Sequence, residues 1–185
     1  MYWSLLITSS HMSSLYFIAI IPPHPLKSRI EKIKLEFSKK YKTVHALKSP
    51  PHITLHPPFS MMEDELDGIC KALEAVARQE KPFELRAFRF NAFTPKVIYI
   101  DFRKSQTLVA LQKRLLNISV DILKQHRFTP HMTIAFKDLK ASLFYKAWKE
   151  YKNREIEFTF KADRLCLLKH DGKMWQTLKE FHFTN

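Results

Sequence analysis

A chain of 185 residues with 45% hydrophobic and 13% aromatic side chains is too apolar for disorder and suits one domain with a sizeable core. With 31 basic against 18 acidic residues the net charge is +13, a balance that attracts polyanions, RNA first among them. Two glycines leave no glycine-rich phosphate loop or dinucleotide fingerprint, and two isolated cysteines, without zinc spacing, point to a reducing, cytoplasmic setting and core packing.

Residues 1–11 open apolar but lack a basic n-region, and His11-Met12 reads as a cloning junction. This segment is expected to be leader or cloning-derived sequence, with a single domain over 12–185. No segment is long and apolar enough to be a transmembrane helix. Residues 15–21 are an apolar run stopped by Pro22-Pro23, which predicts a central strand. Helical spacing over 25–41 puts Leu26, Ile30, Ile33 and Phe37 near one face. A strand at 52–56 ends at Pro57-Pro58, and a helix follows over 63–79 with Glu63, Asp64 and Glu65 at its dipole-positive start. Two strands, 83–93 and 97–103, turn around Thr94-Pro95. A helix over 105–124 turns Leu108, Leu111, Leu115 and Ile118 inward. A strand at 131–136, a short helix over 138–151 and strands at 155–160, 162–169 and 173–182 complete the chain, with a hairpin turn at Asp171-Gly172. This order predicts an α+β domain with mostly antiparallel sheet.

One short pattern occurs twice. Residues 51–55 read Pro-His-Ile-Thr-Leu and residues 130–134 read Pro-His-Met-Thr-Ile. Both segments are β-formers, and strand side chains alternate faces. His52 and Thr54 therefore share a face opposite Ile53 and Leu55, and His131 and Thr133 share one opposite Met132 and Ile134. Each proline precedes its strand, where a missing N–H costs little. Spaced 79 residues apart, the copies fit one motif in each half of a bilobal domain, facing one another across a cleft. Two histidines so placed can work as acid and base, since imidazole titrates near neutrality.

These motifs resemble the signature of the two-histidine (2H) phosphoesterases, a pair of His-x-(Thr/Ser)-aliphatic motifs half a domain apart. Ser-Pro-Pro-His-Ile-Thr-Leu-His-Pro-Pro-Phe (49–59) and Leu-Tyr-Phe-Ile-Ala-Ile-Ile-Pro-Pro (15–23) are similar to the 2′-5′ RNA ligase-like and RNA 2′,3′-cyclic phosphodiesterase branches. The resemblance spans about residues 12–185. It implies two mostly antiparallel sheets in pseudo-two-fold halves flanked by helices, with the active site between the lobes. It also implies a metal-independent, cofactor-free hydrolysis of a 2′,3′-cyclic phosphate, on an RNA end or nucleotide, to a 2′-phosphate. His52 and His131 would be the acid and base, in an order left open, and Thr54 and Thr133 would bind the non-bridging oxygens. A weak reverse 2′-5′ ligation is compatible with the same chemistry.

Tyr16, Phe17 and Phe59 are candidates to stack a base, and Arg127 and Lys96 to contact phosphate, against ordinary readings of core packing and solvated charge. His56 shares the parity of His52 and Thr54 and is read as a strand-end surface group. His24, His45, His126, His170 and His182 are read as surface or cap residues. The competing functions are an RNA-binding module without turnover, a metal hydrolase using His52, His56 and His131, and a relative acting on 2′-5′ oligonucleotides or ADP-ribose cyclic phosphate. A monomer with no obligate protein partner and no membrane attachment is expected.

Overall fold

The computed structural model describes residues 13–118, 123 and 127–184. The 1–11 segment, His126 and most of the end of the helix expected over 105–124 lie outside them. The chain runs twice through strand–helix–strand–helix–strand. The first pass is β1 (Ser13–Ile20), α1 (Leu26–Tyr41), β2 (Ile53–Met62), α2 (Leu66–Ala77) and β3 (Phe83–Phe93). The second is β4 (Val97–Phe102), α3 (Gln106–Leu116), β5 (His131–Ala135), α4 (Ala141–Tyr151) and β6 (Phe158–Ala162), followed by β7 (Arg164–His170) and β8 (Trp175–His182). Two four-stranded sheets result, ordered β2-β1-β7-β8 and β5-β4-β3-β6, with every pairing antiparallel. The α+β architecture and the paired halves are as the sequence predicts. Each motif strand is an edge strand, and the two edges approach one another.

Alternation explains the central strand. In β1, Tyr16, Ile18 and Ile20 enter the main core, while Phe17 and Ala19 join a smaller cluster with Cys166 and Leu168 on the opposite face. Both faces are covered, so the strand reads as an unbroken apolar run. The main core takes Ile30 and Phe37 from α1, Leu73 from α2 and Leu111 from α3. It also takes the aliphatic faces of both motif strands, Ile53, Leu55, Met132 and Ile134.

Several boundaries differ from expectation; α4 starts at Ala141 rather than 138, and β6 runs Phe158–Ala162 rather than 155–160. Strand β2 does not stop at Pro57-Pro58 but continues to Met62, because an edge strand tolerates residues that cannot donate. Its register with β1 slips twice, between Ile18 and Ala19 and between Tyr16 and Ile18, each slip adding one residue to β2. Residues 63–65 form a 3-10 turn ahead of α2, and α3 ends at Leu116, with Ile118 packing on the core beyond it. No helix among the described residues is long and apolar enough to cross a membrane.

Asp138 ties the two halves together. Its carboxylate, just after β5, accepts from the Thr43 hydroxyl and from the backbone N–H groups of Val44 (2.7 Å) and His45 (2.9 Å), just after α1. Burial alone would raise its pKa, but the hydrogen bonds from Thr43, Val44 and His45 outweigh it and hold the carboxyl below its ordinary value. A depressed carboxylate stabilises the fold above its unfolded pKa and loses that contribution as pH falls through the folded value. Asp138→Ala should therefore cost about 1 kcal/mol at pH 7, discounted for the exposure of the carboxylate, with the deficit shrinking below about pH 4. Urea unfolding of both proteins at the two pH values checks this.

Candidate active site

Each motif histidine is built the same way. Nδ1 of His52 lies 2.7 Å from the carbonyl oxygen of Pro50, and Nδ1 of His131 lies 2.7 Å from that of Thr129. A carbonyl only accepts, so Nδ1 carries the proton in both rings. The neutral tautomer then leaves the Nε2 lone pair available. In each case the partner stands two residues before the histidine, with Pro51 or Pro130 between. The His52 ring packs on Phe17 at 4.8 Å between centroids. The His131 ring packs on Tyr99 at 5.1 Å and Phe93 at 5.2 Å.

Both His/Thr pairs line one cleft of about 250 Å³ between the sheets. Its remaining surface is largely aromatic, from Phe17, Phe93, Phe136 and Trp175. Among the described residues, no Lys, Arg, Asp or Glu lines it. Two imidazoles and two hydroxyls thus face a mostly apolar space, where electrostatic interactions are stronger than in water.

The two histidines differ in proton affinity. Burial pushes His52 down to about 4; its Pro50 hydrogen bond opposes the shift, and the charges of Lys34 and His131 add to it. Burial also lowers His131, but its Thr129 hydrogen bond and the negative charge of Asp101 oppose the shift. Asp101 is the cross-strand partner of His131 on β4 and is itself held by Arg89 Nε (3.1 Å) and Asn91 Nδ2 (2.9 Å).

Of the other residues singled out in the sequence, Phe17 lines the cleft. Tyr16 is fully buried in the main core and stacks on Phe59 at 6.1 Å, so neither ring reaches the cleft. The cause is parity in both strands: Tyr16 alternates with Phe17, and Phe59 keeps the core-facing parity of Ile53 and Leu55 because the two register slips between them cancel. Arg127 is exposed and does not line the cleft; Lys96 is exposed on the β3–β4 turn. His56 is not a surface group. The extra residue in β2 turns it inward, where it is 3% exposed, its Nδ1 lies 2.7 Å from the Pro57 carbonyl oxygen, and its ring meets Phe59 at 5.3 Å. It does not line the cleft with His52 and His131. His45 is half-buried against Phe136 at 4.7 Å. Phe93, Phe136 and Trp175 carry no local motif; they reach the cleft through the β3–β4 turn, the end of β5 and the β7–β8 hairpin.

Residues 22–174 match the sequence model of the 2′-5′ RNA ligase superfamily. The chain belongs to that family. A Bacillus licheniformis protein, named as a candidate phosphoesterase, is 30% identical over 124 residues, covering 66% of this chain and 70% of its own. The structure of E. coli LigT in apo form superposes with a TM-score of 0.65 at 17% identity, covering 94% of this chain and 99% of its own. LigT complexed with 3′-AMP gives 0.62 at 16% identity, covering 94% and 100%. The two-histidine phosphoesterase family read from the motifs is thus the family of this chain.

Imidazole NMR should show both histidines as the Nδ1–H tautomer when neutral, with His52 titrating below His131 and both below 6.5. A His52 midpoint above that of His131 would contradict the electrostatic account.

Proposed function

We propose that the protein hydrolyses a 2′,3′-cyclic phosphate to a 2′-phosphate by metal-independent two-histidine catalysis. The observation that carries this is the pair of imidazoles lining one cleft from facing sheet edges, each with Nδ1 occupied and Nε2 available. His52, the less basic ring, is neutral over most of the pH range and takes a proton from water at Nε2. The water oxygen bonds to phosphorus as the bond to O3′ breaks. His131, favoured as the proton holder by Asp101, donates from Nε2 to the departing O3′. Thr54 and Thr133 donate to the non-bridging oxygens as charge builds on them. A solvent proton restores His131, and His52 returns its own.

Charge supports a diester substrate. A cyclic phosphate carries one negative charge, which a cleft without lysine or arginine can accept, and its presence raises the proton affinity of the acid. The nucleotide complex of LigT, a protein of the same fold, agrees with a nucleotide in this cleft. The reverse joining of a cyclic phosphate to a 5′-hydroxyl uses the same groups and would be weak.

His52→Ala and His131→Ala should each lower kcat on a nucleoside 2′,3′-cyclic phosphate by about 10²–10⁴-fold with the circular dichroism unchanged, and Thr54→Ala and Thr133→Ala by less. EDTA should leave the rate intact. The pH profile of kcat/KM should fall as pH drops through about 4, where His52 takes up a proton. It should fall again as pH rises through the depressed His131 value below 6.5, where the acid is lost. A flat profile, or turnover that survives either alanine, would sink the proposal.

A further inference from the structure

A second cavity, of about 310 Å³, lies beside the catalytic cleft. Trp175 and Ser49 line both, so the two spaces are neighbours that share these two residues. Lys27, Glu31 and Lys34, all from α1, give the second one its charge, and Gln176 and Thr177 of β8 add polar groups. Lys34 is the unusual member. It falls between Ile30 and Phe37 on the apolar stripe of α1 and is only 3% exposed. Its ammonium donates to the Ser49 carbonyl at 2.6 Å. No carboxylate among the described residues lies within ion-pair distance of it. A buried cation is costly unless its charge is matched, and an ammonium has three donors to satisfy.

We propose that this cavity binds the phosphodiester on the 5′ side of the reacting nucleotide, with Lys34 and Lys27 as its anion-binding groups, so that the preferred substrate is an RNA 3′ end rather than a cyclic mononucleotide. The inference rests on the phosphodiesterase reading above and names its substrate class. In an RNA ending in a 2′,3′-cyclic phosphate, the terminal ribose carries the reacting group on one side and the next phosphate on its 5′ oxygen. The cleft that takes the reacting phosphate has no cation; the adjoining cavity does. The two lysines less Glu31 leave one net positive charge, which suits a single diester monoanion and disfavours a polyphosphate. Lys34 is also short of counter-charge: burial lowers it to about 8, and only Glu31 raises it.

The test compares adenosine 2′,3′-cyclic phosphate with a diadenosine ending in 2′,3′-cyclic phosphate. Expected is a kcat/KM about tenfold higher for the dinucleotide, a ratio that falls toward one in Lys27→Gln and in Lys34→Met. Lys34→Met also removes a charge that acts on His52, so the ratio, not the rate, is the readout; Lys27→Gln serves if Lys34→Met fails to fold. The same pair of ligands is titrated by Trp fluorescence onto the His52→Ala, His131→Ala double variant. Tighter dinucleotide binding there, lost in Lys27→Gln, would uphold the subsite even if neither compound were turned over, in which case only the phosphodiesterase reading falls. Equal turnover and equal binding of the two ligands, or a preference unchanged in the folded lysine variants, would overturn the subsite and leave the catalytic reading standing.

Discussion

The site depends on one constraint, the two-residue period of a strand with one face in the core. Ile53, Leu55, Met132 and Ile134 are all at most 1% exposed. A one-residue slip of either motif strand would carry its aliphatic residues into the cleft, at about 1.5–3 kcal/mol for each side chain lost from the core. The core thus holds the opposite face, His52 with Thr54 and His131 with Thr133, toward the cleft. Packing energy supplies the orientation that the proposed chemistry needs.

Two devices then differentiate the twin motifs. The carbonyls of Pro50 and Thr129 give both imidazoles the same tautomer, so the difference lies in burial, the larger cause, and in the surrounding charge. Lys34 stands near the first histidine and Asp101 near the second, pushing their proton affinities apart. Pairs of titratable groups whose surroundings separate them in this way mark an acid and a base. The motifs are alike in sequence; the roles proposed for them rest on burial and on the charges of Lys34 on α1 and Asp101 on β4.

Much of this was legible in the sequence. The strand–helix order, the antiparallel sheets and the Asp171-Gly172 hairpin follow from local period and turn chemistry; Gly172 has a φ of 94°, which glycine tolerates. What failed depends on neighbours. Pro57-Pro58 reads as a strand end until the sheet order makes β2 an edge. His56 shares the parity of His52 only if the register is unbroken, and the extra residue in β2 breaks it. Phe59 misses the cleft because a second extra residue restores the register, which leaves it on the core face with Ile53 and Leu55. Trp175 and Phe93 arrive by hairpins from distant parts of the chain, which no local pattern reports. Lys34 did carry a signal, since it occupies a stripe position four residues after Ile30 and three before Phe37.

The regiochemistry of one turnover tests the central claim most directly. Adenosine 2′,3′-cyclic phosphate would be converted in ¹⁸O-water with EDTA present and the product examined by phosphorus NMR. The account predicts adenosine 2′-phosphate with a single ¹⁸O on phosphorus, formed by the parent protein and not by either histidine-to-alanine variant. A 3′-phosphate product, or a labelled 2′-phosphate formed just as fast without His52 or without His131, would contradict it.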